Sequence, residues 1–166
     1  MSSGSTVITI AANSGTLCVG GPAFSVTLSG DQTISNNTQT KIQLNTEVID
    51  TNNCYDPTTN YRFTPTVAGY YAINAKILFA GTASRNYYLA TQLFKNGSNL
   101  SYASGILSLV MGSGADASVG SSSIIYMNGT TDYLELYAYH YDYTATTTVA
   151  AKASSTNFNG CWIRGT

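Results

Sequence analysis

The sequence predicts an all-β sandwich of two antiparallel sheets, and three observations carry that prediction. Apolar and polar residues alternate with a period of two along several stretches. Turn-forming residues punctuate those stretches at short, even spacing. No stretch combines the roughly 3.6-residue apolar period of a helix with helix caps.

The elements follow in order. Residues 1–22 are small, polar and Gly-rich, with one apolar patch at Val7, Ile8 and Ile10; they are expected to form an N-terminal arm ahead of a domain spanning 23–166. Residues 24–28 alternate through Phe24, Val26 and Leu28, and residues 42–48 through Ile42, Leu44, Thr46 and Val48. Pro57 and Pro65 bracket a strand-poor stretch that fits a corner between sheets. The run from Gly69 to Gly81 sets Tyr71, Ile73, Ala75, Ile77 and Phe79 on one face and Tyr70, Asn74 and Lys76 on the other, the pattern of a strand with one wet side. Two Asn-Gly pairs, Asn96-Gly97 and Asn128-Gly129, predict tight hairpins, because both residues tolerate the positive φ such turns need. The Gly/Ser-rich stretch 109–122 between them reads as a mobile loop, and residues 158–165 as a last strand. About ten short strands at this spacing suit a sandwich or jelly roll.

Composition excludes several classes. Charged residues make up 9% of the 166, with a formal net charge of −1, so nothing recruits nucleic acid or an anionic membrane. Apolar content of 43% is ordinary for a globular chain and argues against disorder. No stretch approaches the ~20 apolar residues that cross a bilayer as a helix. The N-terminal stretch lacks the basic start and apolar core of a secretory signal. Cys18, Cys54 and Cys161 form neither a disulfide framework nor a zinc spacing and read as free thiols, with a single bridge between subunits as the other reading.

No residue set predicts catalysis, and no cofactor is implied. His140 stands alone among tyrosines, without a nucleophile elbow, and reads as structural. Alternation sends Asp132 and Glu135 to opposite faces, so they do not make an acid/base pair. The loop at 112–116 has glycines but no lysine and no following helix, unlike a phosphate cradle. Asp50, Asn52, Asn53 and Asp56 are oxygen-rich but lack an EF-hand spacing, and read as a hydrogen-bonded turn, with a calcium loop as the other reading.

Four short motifs, in order, resemble one family. Phe24-Ser25-Val26 is the first. Phe63 is followed six positions later by Gly69, then by Tyr71, with Ile73 where a Phe is usual. Asp132, Leu134 and Leu136 follow, with Thr131 replacing a Gly. Phe158-Asn159-Gly160-Cys161-Trp162 closes the chain. Together they resemble the signature of complement C1q-like domains. That resemblance spans roughly 22–166 and implies a ten-strand jelly roll of the C1q/tumour necrosis factor type, usually a homotrimer. Lacking a collagen stalk and a secretion signal, the chain is most similar in flavour to short C1q-like proteins of tailed bacteriophages, which occur as capsid decoration proteins and at fibre tips. The resemblance thus implies a non-enzymatic virion protein, made in the host cytoplasm, with the major capsid protein or another virion protein as partner to the arm. The alternative it implies is a receptor-binding module recognising a host glycan.

The tyrosines add a surface. Tyr133, Tyr137, Tyr139, Tyr141 and Tyr143 share one parity, and Leu134, Leu136 and Ala138 the other. With the aliphatic parity in the core, the tyrosines form an outer stripe, and large aromatic patches mark interfaces. The stripe is expected at the trimer contact; a ligand platform, for instance for a sugar, and core packing in a reversed register are the other readings.

Overall fold

The structure, a computed structural model, describes residues 20–81, 85–144 and 148–165. The expected arm residues Val7, Ile8 and Ile10, and Cys18, lie outside the described residues.

Thirteen strands and no helix are described. They are β1 (Ala23–Thr27), β2 (Gln32–Ile34), β3 (Thr40–Lys41), β4 (Thr46–Asp50), β5 (Tyr55–Asp56), β6 (Arg62–Phe63), β7 (Gly69–Ala80), β8 (Arg85–Lys95), β9 (Ser98–Met111), β10 (Asp116–Met127), β11 (Leu134–Asp142), β12 (Val149–Ala151) and β13 (Asn157–Arg164). The count exceeds the expected ten because β3, β5 and β6 are two-residue pieces.

Two antiparallel sheets result. In the first, β7 pairs along its whole length with β10 on one side. Its other side takes β13 and, beyond that, β12. Strands β1 and β4 continue outward from β13, and β2 from β12. In the second sheet β8 lies between β9 and β11, and the far side of β11 takes β3 and β6, with β5 beyond. The long antiparallel strands exist because alternation buries one face. In β7, Tyr71, Ile73, Ile77 and Phe79 are wholly buried while Tyr70 and Asn74 are exposed, as the sequence predicts.

The family-like motif residues meet in the core although they are scattered along the chain. Phe24 stacks on Phe63 at 4.1 Å between ring centres and meets Phe158 edge-on at 4.8 Å. Phe63 in turn meets Tyr71 edge-on at 5.5 Å. Offset and edge-to-face pairs add to the burial each ring brings. Leu134 and Leu136 are buried from β11. The two motif glycines are close-approach positions. A methyl group on Gly160 would lie 2.8 Å from Ala72 O and 3.0 Å from the Phe24 ring. Gly69, with φ +148°, would meet Arg164 O at 2.3 Å.

Three sequence expectations are corrected. The stretch 42–48 is not one strand. Ile42 and Leu44 are buried as expected, but the chain leaves alternation at Asn45, whose side chain bonds Ser29. Strand β4 then lies at the sheet edge with Val48 exposed. The supposed loop at 109–122 is mostly strand: β9 runs to Met111 and β10 starts at Asp116. Ala117 and Val119 turn inward, and Gly120 and Ser121 meet the other sheet at Gly105 and Ala103. Asn96-Gly97 does make a two-residue hairpin, with φ of 52° and 77°, between β8 and β9. Asn128-Gly129 does not, because β10 and β11 belong to different sheets. There the Asn128 side-chain oxygen instead accepts the backbone N–H groups of Thr130, Thr131 and Asp132, turning the chain across the sandwich.

Candidate functional site

The polar residues singled out in the sequence do not converge. His140 is wholly buried, with Nε2 3.1 Å from Ile34 O and Nδ1 without a hydrogen-bond partner among the described residues. Burial pulls its pKa below the ordinary 6.5, against the opposing influence of the Ile34 carbonyl and the Asp142 charge. Glu135 is buried and held by Lys41 at 2.5 Å. Asp132 takes Lys95 at 2.8 Å, the Asn96 amide at 2.7 Å and the Asn128 N–H. Burial raises the Asp132 pKa, but those donors outweigh it and leave the carboxyl below its ordinary value. Each carboxylate is thus committed to its own cation.

The oxygen-rich loop is a pair of turns. Asp50 accepts the N–H groups of Cys54 and Tyr55, and Asp56 those of Thr58, Thr59 and Asn60. Hydrogen bonds from that backbone hold the Asp56 carboxyl well below the usual carboxylate range. Among the described residues no group of three or more His, Cys, Asp or Glu is placed to hold a metal ion. Cys54 is a buried free thiol and Cys161 an exposed one.

What the fold offers instead is two outward aromatic faces. The first is the tyrosine stripe of β11 on the outer side of the second sheet, opposite buried Leu134, Leu136, Ala138 and His140. Its lower half is engaged within the chain. Arg62 lies over the Tyr133 ring at 4.3 Å. Tyr137 packs on Phe94 at 4.1 Å, and Tyr139 meets Tyr88 edge-on at 5.9 Å. The upper half is open: Tyr141 is 36% and Tyr143 58% exposed.

The second face was missed in the sequence. On the outer side of the first sheet, Tyr70 lies opposite Tyr126 in the register of β7 and β10, their rings 5.6 Å apart. Ile124 and Ile163 flank them at 64% and 44% exposure. Tyr70, Ile124, Ile163 and Arg164 line a hollow of about 410 Å³. Single exposed isoleucines are unremarkable in a sequence; only strand order brings these together. The outward parity of Tyr70 was legible, but its neighbours were not.

With this geometry in view, the comparisons with known proteins place the fold. No family model matches the chain, and no curated protein matches it. Solved structures do. The globular domain of zebrafish Complement 1qA protein is 17% identical, with a TM-score of 0.56 over 87% of this chain and 99% of that one. Murine APRIL is 12% identical, with a TM-score of 0.59 over 86% and 99%. Eiger TNF from S. frugiperda is 9% identical, with a TM-score of 0.59 over 87% and 92%. At these identities the likeness concerns fold alone, and the fold is a C1q/tumour necrosis factor-like jelly roll.

Proposed function

We propose that this chain is a non-enzymatic assembly protein: a homotrimeric jelly roll that decorates and stabilises the shell of a tailed bacteriophage. The observation that carries self-association is the unpartnered face of Tyr70, Ile124, Tyr126 and Ile163. Monomers rarely leave a contiguous apolar patch bare, and a stable interface buries on the order of 1,200–2,000 Å². A second and third copy of the same patch would cover it around a closed three-fold axis. This face fits the subunit contact better than the tyrosine stripe, whose lower half already has partners within the chain. The shell assignment is supported by the sequence resemblance to short phage proteins, and the non-enzymatic reading by the commitment of Glu135 to Lys41 and of Asp132 to Lys95. The arm at 1–22 would grip neighbouring capsid subunits.

Light scattering of the purified protein tests the first part: the expected mass is three times 17.6 kDa. Gold-labelled antibody on particles tests the second. Label over the shell, lost on deleting residues 2–15 while the trimer persists, is the expected result. Label confined to the tail tip would replace shell decoration with the receptor-binding alternative.

A further inference from the structure

The open upper half of the tyrosine stripe has a chemistry of its own. Asn37, Tyr88, Tyr139, Tyr141 and Tyr143 line a shallow hollow of about 430 Å³. Two further hollows adjoin it and share Tyr143, one bordered by Ser35, Asn36 and Thr148, the other by Ser108 and Leu109. The rings come as two pairs set nearly perpendicular. Tyr88 and Tyr139 meet at 77°, and Tyr141 and Tyr143 at 86° with 5.0 Å between centres. Each pair therefore offers one ring face beside one ring edge.

The polar part of the lining is fixed in place. Asn37 sits in the left-handed region at φ 54°, and its N–H donates to His140 O at 2.8 Å. The Tyr139 hydroxyl donates to Asn37 Oδ1 at 2.6 Å, which orients the amide and leaves Nδ2 as a donor with no partner among the described residues. The hydroxyls of Tyr88, Tyr141 and Tyr143 likewise have no hydrogen-bond partner among the described residues. Among the described residues no lysine or arginine lines any of the three hollows. The Asp142 carboxylate, at the border of one, accepts from Thr144 N and Oγ1. The backbone here is already paired, by β8 on one side and by the 36–37 turn on the other. A peptide therefore cannot add as a strand to β11.

Flat apolar faces, mostly neutral donors and acceptors at their rim, the Asp142 carboxylate at one border and no cation among the described residues disfavour phosphate, nucleotide and acidic ligands. They match a rigid ring with an apolar C–H face and equatorial hydroxyls. We propose that this hollow is a carbohydrate-binding site for a neutral pyranose of a glycan chain. Tyr141 and Tyr143 supply the stacking faces, and Asn37 reads a ring hydroxyl. The site belongs to the surface of each subunit, so its existence is independent of where on a virion the protein sits.

Ligand-observed NMR on the full-length protein tests the site. The probes are methyl glycosides and linear tetrasaccharides of glucose, galactose, mannose and N-acetylglucosamine, with sialyllactose as the acidic comparison. Saturable binding of at least one neutral series, stronger than sialyllactose, is expected. Tyr143→Ala and Tyr141→Ala should each weaken it by about tenfold or more, and Asn37→Ala should also weaken it. Oligomeric mass and melting temperature should stay unchanged. Absence of binding to every neutral probe, or binding that both tyrosine variants leave intact, would overturn the assignment. Dissociation of the oligomer by either tyrosine variant would also overturn it and make the stripe a subunit contact. Ile124→Asp, in the other aromatic face, should leave sugar binding intact, so failure of the self-association reading is separable from failure of this one.

Discussion

Gly105 of β9 lies so close to Gly120 of β10 that a methyl group on Gly105 would sit 1.9 Å from the Gly120 carbonyl oxygen. These strands belong to different sheets, and here the sandwich closes at its edge. Two hydroxyls bind the same seam: Thr91 Oγ1 donates to Val119 O at 2.8 Å, and Ser121 Oγ donates to Ala103 O.

Gly105→Ala should therefore force the sheets apart at this edge and cost ~3 kcal/mol. The melting temperature should fall by roughly 6–12 °C in a thermal scan. A methyl group on Gly120 meets nothing nearer than Ala75 O at 3.6 Å. Gly120→Ala should change stability by less than ~1 kcal/mol. Equal losses for the two variants would show that the close approach is not what the glycine provides.

Lys41→Met should be costly because it leaves Glu135 buried without its cation. A fully buried pair broken this way costs ~3–5 kcal/mol; with the Lys41 side chain 31% exposed, solvent screening lowers the expectation to ~1–3 kcal/mol. Adding Glu135→Leu to Lys41→Met should recover most of the loss. Denaturant midpoints of the two single variants and the double variant measure the coupling.

Acid should weaken the fold in two stages. The His140 pKa is lowered in the folded state, so between that value and 6.5 the unfolded chain binds a proton that the folded chain does not. Stability therefore falls as pH drops below about 6.5 and levels off once the pH is below the folded value. His140→Gln keeps a donor for Ile34 O without a titration, and should flatten this first stage. The Asp132 pKa is also lowered, but as a carboxylate its contribution is present above its unfolded value of 3.8 and is lost as pH falls through the folded value. That second stage should persist in His140→Gln. Unfolding free energies measured from pH 8 to pH 3 separate the two.

On the proposed self-association, Ile124→Asp or Ile163→Asp should convert the trimer to monomers while far-UV circular dichroism keeps its β signal. Both side chains are exposed in the isolated chain, so the folded subunit loses little. A charge buried without a partner at the proposed subunit contact would be strongly unfavourable. Unchanged mass by light scattering in both variants would move the contact elsewhere, with the exposed pair Val48 and Ile49 on edge strand β4 the next surface to test.

Fold class, the inward and outward faces of β7 and β11, and the Asn96-Gly97 hairpin were all determined by the sequence itself. Each rests on a local pattern: alternation along a single strand, or the φ angles of two adjacent residues. Tertiary structure decided what depends on strand order. It made most of the Gly/Ser-rich stretch strand, because residues 116–122 pair with β7 and 109–111 with β8, partners that nothing in their own segment reports. It made Asn128-Gly129 a crossing between sheets instead of a hairpin, although the dipeptide is the same as at 96–97. It also set Ile124 and Ile163 beside Tyr70, and Asn37 beside Tyr139, across separations in sequence of 54 to 102 residues. A period-two pattern states which way a side chain points; which strand lies next to it is fixed only when both sheets pack and bury their faces together.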